Sequence, residues 1–168
     1  MSTSTTDLPF DGVKVLDLSQ GIAGPYCGMH LARNGADVIK VEPPGKPGSE
    51  GGDPLRKWRK LHPDNPSGTS LWWFVQARNK RSITIDLRQP AGQKIVRELA
   101  AQADIVIENF RPGALEKWGL GDEALSKNNP GLILVRLSGY GQTGPYRVRP
   151  GFGAIAESDR QSTRLNSS

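Results

Sequence analysis

Five short segments of the chain carry residue types that suit a phosphorylated ligand. Gln20-Gly-Ile-Ala-Gly-Pro25 offers glycines where backbone can approach a ligand, just ahead of a helix start that attracts anions. A plain tight turn has the same composition. Ala77-Arg-Asn-Lys-Arg-Ser82 and Asp86-Leu-Arg88 put cations on both sides of one apolar run, a pattern that serves a polyphosphate or a solvated charge run. Glu108-Asn-Phe-Arg-Pro-Gly113 sets an amide beside an aromatic ring, a pair able to hydrogen-bond and stack a purine base; the ring also fits a core position. Ser138-Gly-Tyr-Gly-Gln-Thr-Gly-Pro145 has the glycine and proline content of a mobile loop over a site, or of a surface loop. Conventional catalytic sets are missing. His30 and His62 are the only histidines, neither with metal-ligand spacing, so no metal is expected. No G-x-S-x-G, Walker A or C-x-x-C pattern occurs, and Gln20 to Pro25 lacks the G-x-G-x-x-G spacing of a dinucleotide site.

These segments sit between alternating strands and helices. Val13-Lys-Val-Leu-Asp-Leu18 is an apolar run typical of a buried strand. Pro25 stands where a first helical residue belongs, and Cys27, Leu31 and Ala32 share one face of the helix. Gly35 closes it, and residues 36–42 read as a second strand, parallel to the first. Six prolines between Pro43 and Pro66 predict a long loop over 43–70. Within it, Arg56-Lys-Trp-Arg-Lys60 is a basic cluster around an aromatic. Residues 70–78, with Trp72, Trp73 and Phe74, predict a short buried helix. Ser82-Ile-Thr-Ile-Asp86 alternates as a third strand. Pro90 opens a helix in which Ala91, Ile95, Leu99 and Ala103 recur at i, i+4 and are expected to face the core. Strands follow at 104–108 and 132–137, with Asp122 as N-cap of a short helix between them. The alternation predicts an α/β fold: a Rossmann-like parallel sheet with flanking helices. In such a sheet ligands gather at the carboxyl ends of the strands, where residues 20–25, 86–88, 108–113 and 138–145 fall, while 77–82 precedes its strand.

The chain has 168 residues, of which 36% are hydrophobic, enough for one domain. Its single cysteine, Cys27, excludes an internal disulfide and fits a reducing compartment. Residues 1–9 are polar and read as a disordered N-terminus without a leader; no apolar run is long enough to cross a bilayer. A cytoplasmic location is expected. A net charge of +5 draws anions, whether nucleic acid, anionic lipid or a phosphorylated metabolite. Residues 159–168 break the pattern: at nine of ten positions they match a translated sequencing adaptor, and they are expected to lie outside the fold, which occupies 10–158.

Taken in order, the segments resemble one family. Gly12-Val-Lys-Val-Leu-Asp17 with Ala23-Gly-Pro25, Gly35-Ala-Asp-Val-Ile-Lys-Val-Glu42, residues 79–88, residues 103–113 and Ser138-Gly-Tyr-Gly are similar to family III coenzyme A transferases of the CaiB/BaiF type. That family includes formyl-CoA and carnitine CoA transferases and 2-methylacyl-CoA racemases. The resemblance runs from Phe10 to Glu157 and implies the N-terminal part of an enzyme that moves CoA from an acyl-CoA thioester to a carboxylic acid. It implies a homodimer of interlocked chains, with no nucleic acid or membrane as partner. CoA contacts carry over to Ile85, Arg88, Asn109, Phe110, Ala114 and Lys117, with Arg88 and Lys117 meeting phosphates. The family's nucleophile is an aspartate that attacks the thioester; its counterpart is expected beyond Ser158. Asp17 and Asp86 occupy structural positions in the family pattern. Pro43 stands where relatives carry a cation, and Ser138 and Ile22 replace a Lys and a Gln of formyl-CoA transferase, which speaks against oxalate or formate. Phe152-Gly153 replaces the His-Asp pair of racemases, which disfavours the racemase alternative. A nucleic-acid binder built on residues 56–60 and a nicotinamide-dependent oxidoreductase are the competing classes.

Overall fold

In a computed structural model, residues 8–48, 50–58, 64 and 68–151 are described. Five strands form one sheet: β1 (Lys14–Asp17), β2 (Asp37–Glu42), β3 (Lys80–Thr84), β4 (Ile105–Glu108) and β5 (Ile133–Arg136). Their order is β3-β2-β1-β4-β5, and every neighbouring pair is parallel. The helices are α1 (Ala23–Arg33), α2 (Leu71–Gln76), α3 (Pro90–Ala100), α4 (Ala114–Lys117) and α5 (Asp122–Ser126), with a 3₁₀ turn at Pro54–Lys57. The order reverses between β1 and β4, so the loops after these strands diverge and open a crevice above the sheet. The expected α/β architecture is the observed one.

Strand alternation builds two cores, one on each side of the sheet. Val15, Val38 and Ile107 face α1 and pack with Ala32 and Ala36. Leu16, Val41 and Val106 face the opposite way and pack with Val96 and Ala100 of α3 and with Leu115, Leu120 and Leu125. Gly35 takes φ +106 after α1, the left-handed value a terminating glycine supplies.

Several boundaries and faces differ from expectation. β3 begins at Lys80, because pairing with Val38 to Glu42 holds that strand in register, and it ends at Thr84, short of Asp86. On α3 the buried stripe is Gly92, Val96 and Ala100, not Ala91 and Ile95; Ile95 is 41% exposed while Val96 is fully buried. Gly92 sets this rotation. A Cβ there would collide with the carbonyl oxygen of Asp86 and lie 2.9 Å from Ile85 Cγ2, so the glycine face is the one that can close on the β3–α3 loop. Helix α2 buries Trp73 and Gln76 but leaves Leu71, Phe74 and Val75 exposed, so it is only half buried. Its cap is Ser70, whose hydroxyl accepts from the Trp72 N–H. Asp122 is the first residue of α5 and not its N-cap, which is Gly121; its carboxylate accepts from the Ser126 hydroxyl one turn on. The long 43–70 loop contains the 3₁₀ turn, which Asp53 caps by accepting from the Leu55 N–H at 2.9 Å. The adaptor-like tail, Phe152, Gly153 and His62 lie outside the described residues.

Candidate functional site

The face of β1, β2 and β3 that looks toward α1 becomes polar at its carboxyl end. In β2 the alternation that points Val38 inward also points Lys40 and Glu42 inward, and both are buried. A buried charge must be paired. Lys40 Nζ lies 3.1 Å from Asp53 and donates to the Ser19 carbonyl. Lys80 Nζ donates to Asp17 at 2.8 Å and to the Pro25 carbonyl at 2.6 Å, while Asp17 also accepts from the Ser19 N–H and hydroxyl. Burial lowers the Lys80 pKa, against the raising effect of Asp17. Gly28 leaves room for this pair: a Cβ there would lie 2.9 Å from Asp17 Oδ2 and 3.1 Å from Lys80 Nζ. Asp53 accepts from the Gly21 N–H at 3.2 Å on both oxygens, which ties the loop after β1 to the loop after β2.

Glu42 ends the stripe. Its carboxylate takes Arg56 Nε and Nη2, each at 2.7 Å, the Asp53 N–H at 2.8 Å and the Ser82 hydroxyl. Burial alone would raise its pKa; the Arg56 fork, the Ser82 hydroxyl and the Asp53 N–H outweigh it and bring the pKa down to about 2. Arg56 also stacks over Trp73 at 3.8 Å. The basic cluster at 56–60 is therefore not a free cationic patch over its described part: Arg56 is committed to Glu42, and Lys57 lies 2.6 Å from Glu50.

Above this stripe, at the carboxyl ends of the strands, a cleft of about 480 Å³ opens. Its walls come from the ends of β1 and β2 (Gln20, Glu42, Pro43), from the β3–α3 loop (Ile85 to Arg88) and from Phe110 and Trp118 beyond β4. Phe110 meets Trp118 edge to face at 5.2 Å. Trp118 also lines a second space of about 340 Å³ with Arg111, Ala114 and Lys117. Two adjoining hollows share one indole, an arrangement that suits an elongated ligand with an aromatic group and separate anionic groups.

Five of the six residues expected to contact CoA line these hollows: Ile85, Arg88 and Phe110 the first, Ala114 and Lys117 the second. Asn109 is placed differently. Its Oδ1 accepts from the Gln20 N–H at 2.8 Å and its Nδ2 donates to the Gln20 carbonyl at 2.6 Å, so both ends of the amide clasp the loop after β1. Arg88 donates to Asp86 through Nε at 2.9 Å and Nη2 at 3.3 Å, and this hydrogen bonding lowers the Asp86 pKa. Sequence inspection missed Trp118, Arg111 and Lys46; the apolar spacing of Phe110 and Trp118 across a short helix was the available signal for the first. Lys80, one of the cations flanking β3, is internal and faces Asp17, while Arg81 pairs with Asp37. Asp17 is buried and fully engaged, as a structural residue should be. Among the described residues no cluster of His, Cys, Asp or Glu could hold a metal ion.

A five-stranded 3-2-1-4-5 parallel sheet with a hollow at its carboxyl ends defines a Rossmann-like α/β domain. The family model for CoA-transferase family III matches residues 10–164, and the chain belongs to that family. It is 56% identical over 157 residues to succinyl-CoA–D-citramalate CoA-transferase of Chloroflexus aurantiacus, covering 94% of this chain and 37% of the relative. It is 50% identical over 156 residues to the beta subunit of succinyl-CoA–L-malate CoA-transferase of the same organism, covering 93% and 36%. A crystal structure of a CAIB/BAIF family protein from Brucella suis superposes with a TM-score of 0.80 at 41% identity, covering 91% of this chain and 39% of that one. The chain thus spans little more than a third of the length of these relatives.

Proposed function

We propose that this chain is the CoA-binding part of a transferase that moves CoA from an acyl-CoA thioester, succinyl-CoA foremost, to a carboxylic acid of the citramalate or malate type. The observation that carries the proposal is the cleft at the strand ends, which draws Ile85, Arg88 and Phe110 from separate loops onto one surface beside the second hollow of Ala114 and Lys117. The names of the relatives support the choice of donor and acceptor. The chemistry follows the family pattern. A carboxylate supplied beyond Ser158 attacks the thioester carbonyl, and the CoA thiolate leaves to give a mixed anhydride. The thiolate then attacks the enzyme's own acyl carbon, releasing the donor acid and leaving an enzyme-bound CoA thioester. The acceptor carboxylate attacks that thioester, and the returning thiolate takes the acceptor's acyl carbon. The residues described here bind and orient CoA; its thiol must reach the nucleophile from a fixed nucleotide end. A homodimer in a cytoplasmic setting completes the reading; the subunit designation of one relative supports an oligomer without giving its composition.

The test is an assay of the full-length protein with succinyl-CoA and D-citramalate or L-malate, following both CoA thioesters by chromatography. Formation of the acceptor thioester with stoichiometric loss of succinyl-CoA is expected, and hydroxylamine should trap the enzyme-bound thioester. Exchange of an α-proton of a 2-methylacyl-CoA with solvent, without transfer, would replace the proposal by the racemase alternative.

A further inference from the structure

The charge balance of the larger cleft singles out one side chain. Three carboxylates line it, Glu42, Glu50 and Asp86. Each has its own cation: Arg56 at 2.7 Å, Lys57 at 2.6 Å and Arg88 at 2.9 Å, respectively. Two cations line the same cleft, Arg88 and Lys46. Arg88 has its Nε and Nη2 turned onto Asp86. Lys46 forms no ion pair among the described residues; its charge acts on Asp86, but that carboxylate is already held by Arg88, so Lys46 is the surplus cation of the cleft. An anionic ligand entering this cleft meets that surplus charge without first displacing a carboxylate.

Lys46 stands on a loop fixed at its base. The Gly52 N–H donates to the Pro43 carbonyl at 2.8 Å, which closes the segment into a ring of backbone. Gly51 packs on the backbone of Pro43 and Gly45 so closely that a Cβ would collide with both. Just outside the ring, the Asp53 N–H donates to Glu42, which also holds Arg56 and Ser82. The loop that presents Lys46 is therefore anchored to β2 and β3 through one carboxylate. Pro43, at the first position of the loop, has no charge to offer.

We propose that Lys46 is a specificity-determining residue that binds a phosphate group of the CoA thioester at the rim of this cleft, with Glu42 as the positioning residue that fixes the loop carrying it. The inference rests on the CoA-transferase reading and names the contact that sets affinity for the nucleotide end. CoA offers two sources of phosphate, the 3′-phosphomonoester and the diphosphate, and Lys46 suits either as a point charge.

The experiment is calorimetric titration of the full-length protein with CoA and with dephospho-CoA, in the wild type, Lys46→Ala, Lys46→Arg and Glu42→Gln. Removing one charge-assisted contact is expected to weaken CoA binding about tenfold in Lys46→Ala. Lys46→Arg should restore most of it. If the contact is the 3′-phosphate, the difference between wild type and Lys46→Ala vanishes with dephospho-CoA; if it is the diphosphate, the difference persists. Glu42→Gln should raise KM for the acyl-CoA and leave KM for the acceptor acid unchanged, a split that a general loss of structure does not produce. Where Glu42→Gln fails to fold, Lys46→Ala, altered on an exposed loop, decides the matter alone. CoA binding by Lys46→Ala within about twofold of wild type overturns the inference. A wild type that binds CoA with this Lys46 dependence yet transfers nothing overturns the transferase reading and leaves the Lys46 contact standing. A wild type that does not bind CoA overturns both.

Discussion

Glu42 shows how one residue can control both stability and the site. Its carboxylate, 2% exposed, accepts from Arg56, Ser82 and the Asp53 N–H, and its pKa falls to about 2 from an ordinary value of 4.5. A carboxylate with a depressed folded-state pKa contributes stability above its unfolded pKa and loses that contribution as pH falls through the folded value. The wild type should therefore lose stability from about pH 4.5 down to about pH 2 in part through this group. In Glu42→Gln the Arg56 charge is left without its partner, with a cost of about 2–3 kcal/mol at neutral pH, discounted for the partial exposure of Arg56. Urea unfolding at a series of pH values checks both claims: the variant curve should lie below the wild type at pH 7 and approach it toward pH 2. A constant offset across that range would sink the assignment. Asn109 is the counterpart on β4. Its type and position were legible in the sequence, but not its use, because an amide that clasps a loop backbone 89 residues away leaves no local signature.

At the level of elements, the strands were legible wherever alternation and turn residues agreed. Residues 13–18 and 36–42 read as parallel strands because βαβ geometry leaves few alternatives, and β1 and β2 pair in that way. The amphipathic face of α3 was misread at Ala91 and Ile95, while Leu99 and Ala103 pack on the core as expected, and the reason is physical. A periodicity of Ala91, Ile95 and Leu99 competes with one of Gly92, Val96 and Ala100; hydropathy favours the first, whereas the close approach of Gly92 to the β3–α3 loop selects the second. Close packing of backbone on backbone is a tertiary fact that a hydropathy pattern does not carry. The two faces differ in a measurable way. Val96→Ala should destabilise by about 2 kcal/mol, from lost burial plus the cavity left behind. Ile95→Ala should stay within about 0.5 kcal/mol of wild type. Chemical denaturation of the pair settles which stripe is buried, and the reverse ranking would mean that α3 is rotated from the position described. The short helix α4 escaped sequence inspection because four residues give no periodicity, yet it carries Ala114 and Lys117 to the second hollow.

Over the whole molecule, positive charge exceeds negative, and part of the excess lies where the ligand is expected. The chain carries a net charge of +5. Many of its cations are neutralised locally: Lys40, Lys80, Arg56, Arg88 and Arg136 each face a carboxylate. Lys46 on the first hollow and Arg111 and Lys117 on the second form no ion pair among the described residues, nor do Lys14, Arg33, Arg78, Arg97 and Lys127 elsewhere, so the walls of both hollows carry part of the surplus positive charge. A polyanion such as CoA is then attracted before it makes contact, and salt should weaken that attraction. Raising ionic strength from about 0.01 M to about 0.15 M shortens the Debye length from about 30 Å to about 8 Å, less than the span of an extended ligand lying across both hollows. CoA affinity should accordingly fall several-fold over this range, measured by the same titration in buffers of increasing potassium chloride. Pantetheine, which keeps the thiol arm and lacks the phosphates, should show no such dependence. Lys46→Ala should give a shallower salt slope than wild type, because one cation fewer contributes to the field. Equal slopes for CoA and pantetheine would mean that binding is carried by the apolar walls of Ile85, Phe110 and Trp118, and the placement of unpaired cations at the strand ends would then have no part in ligand capture.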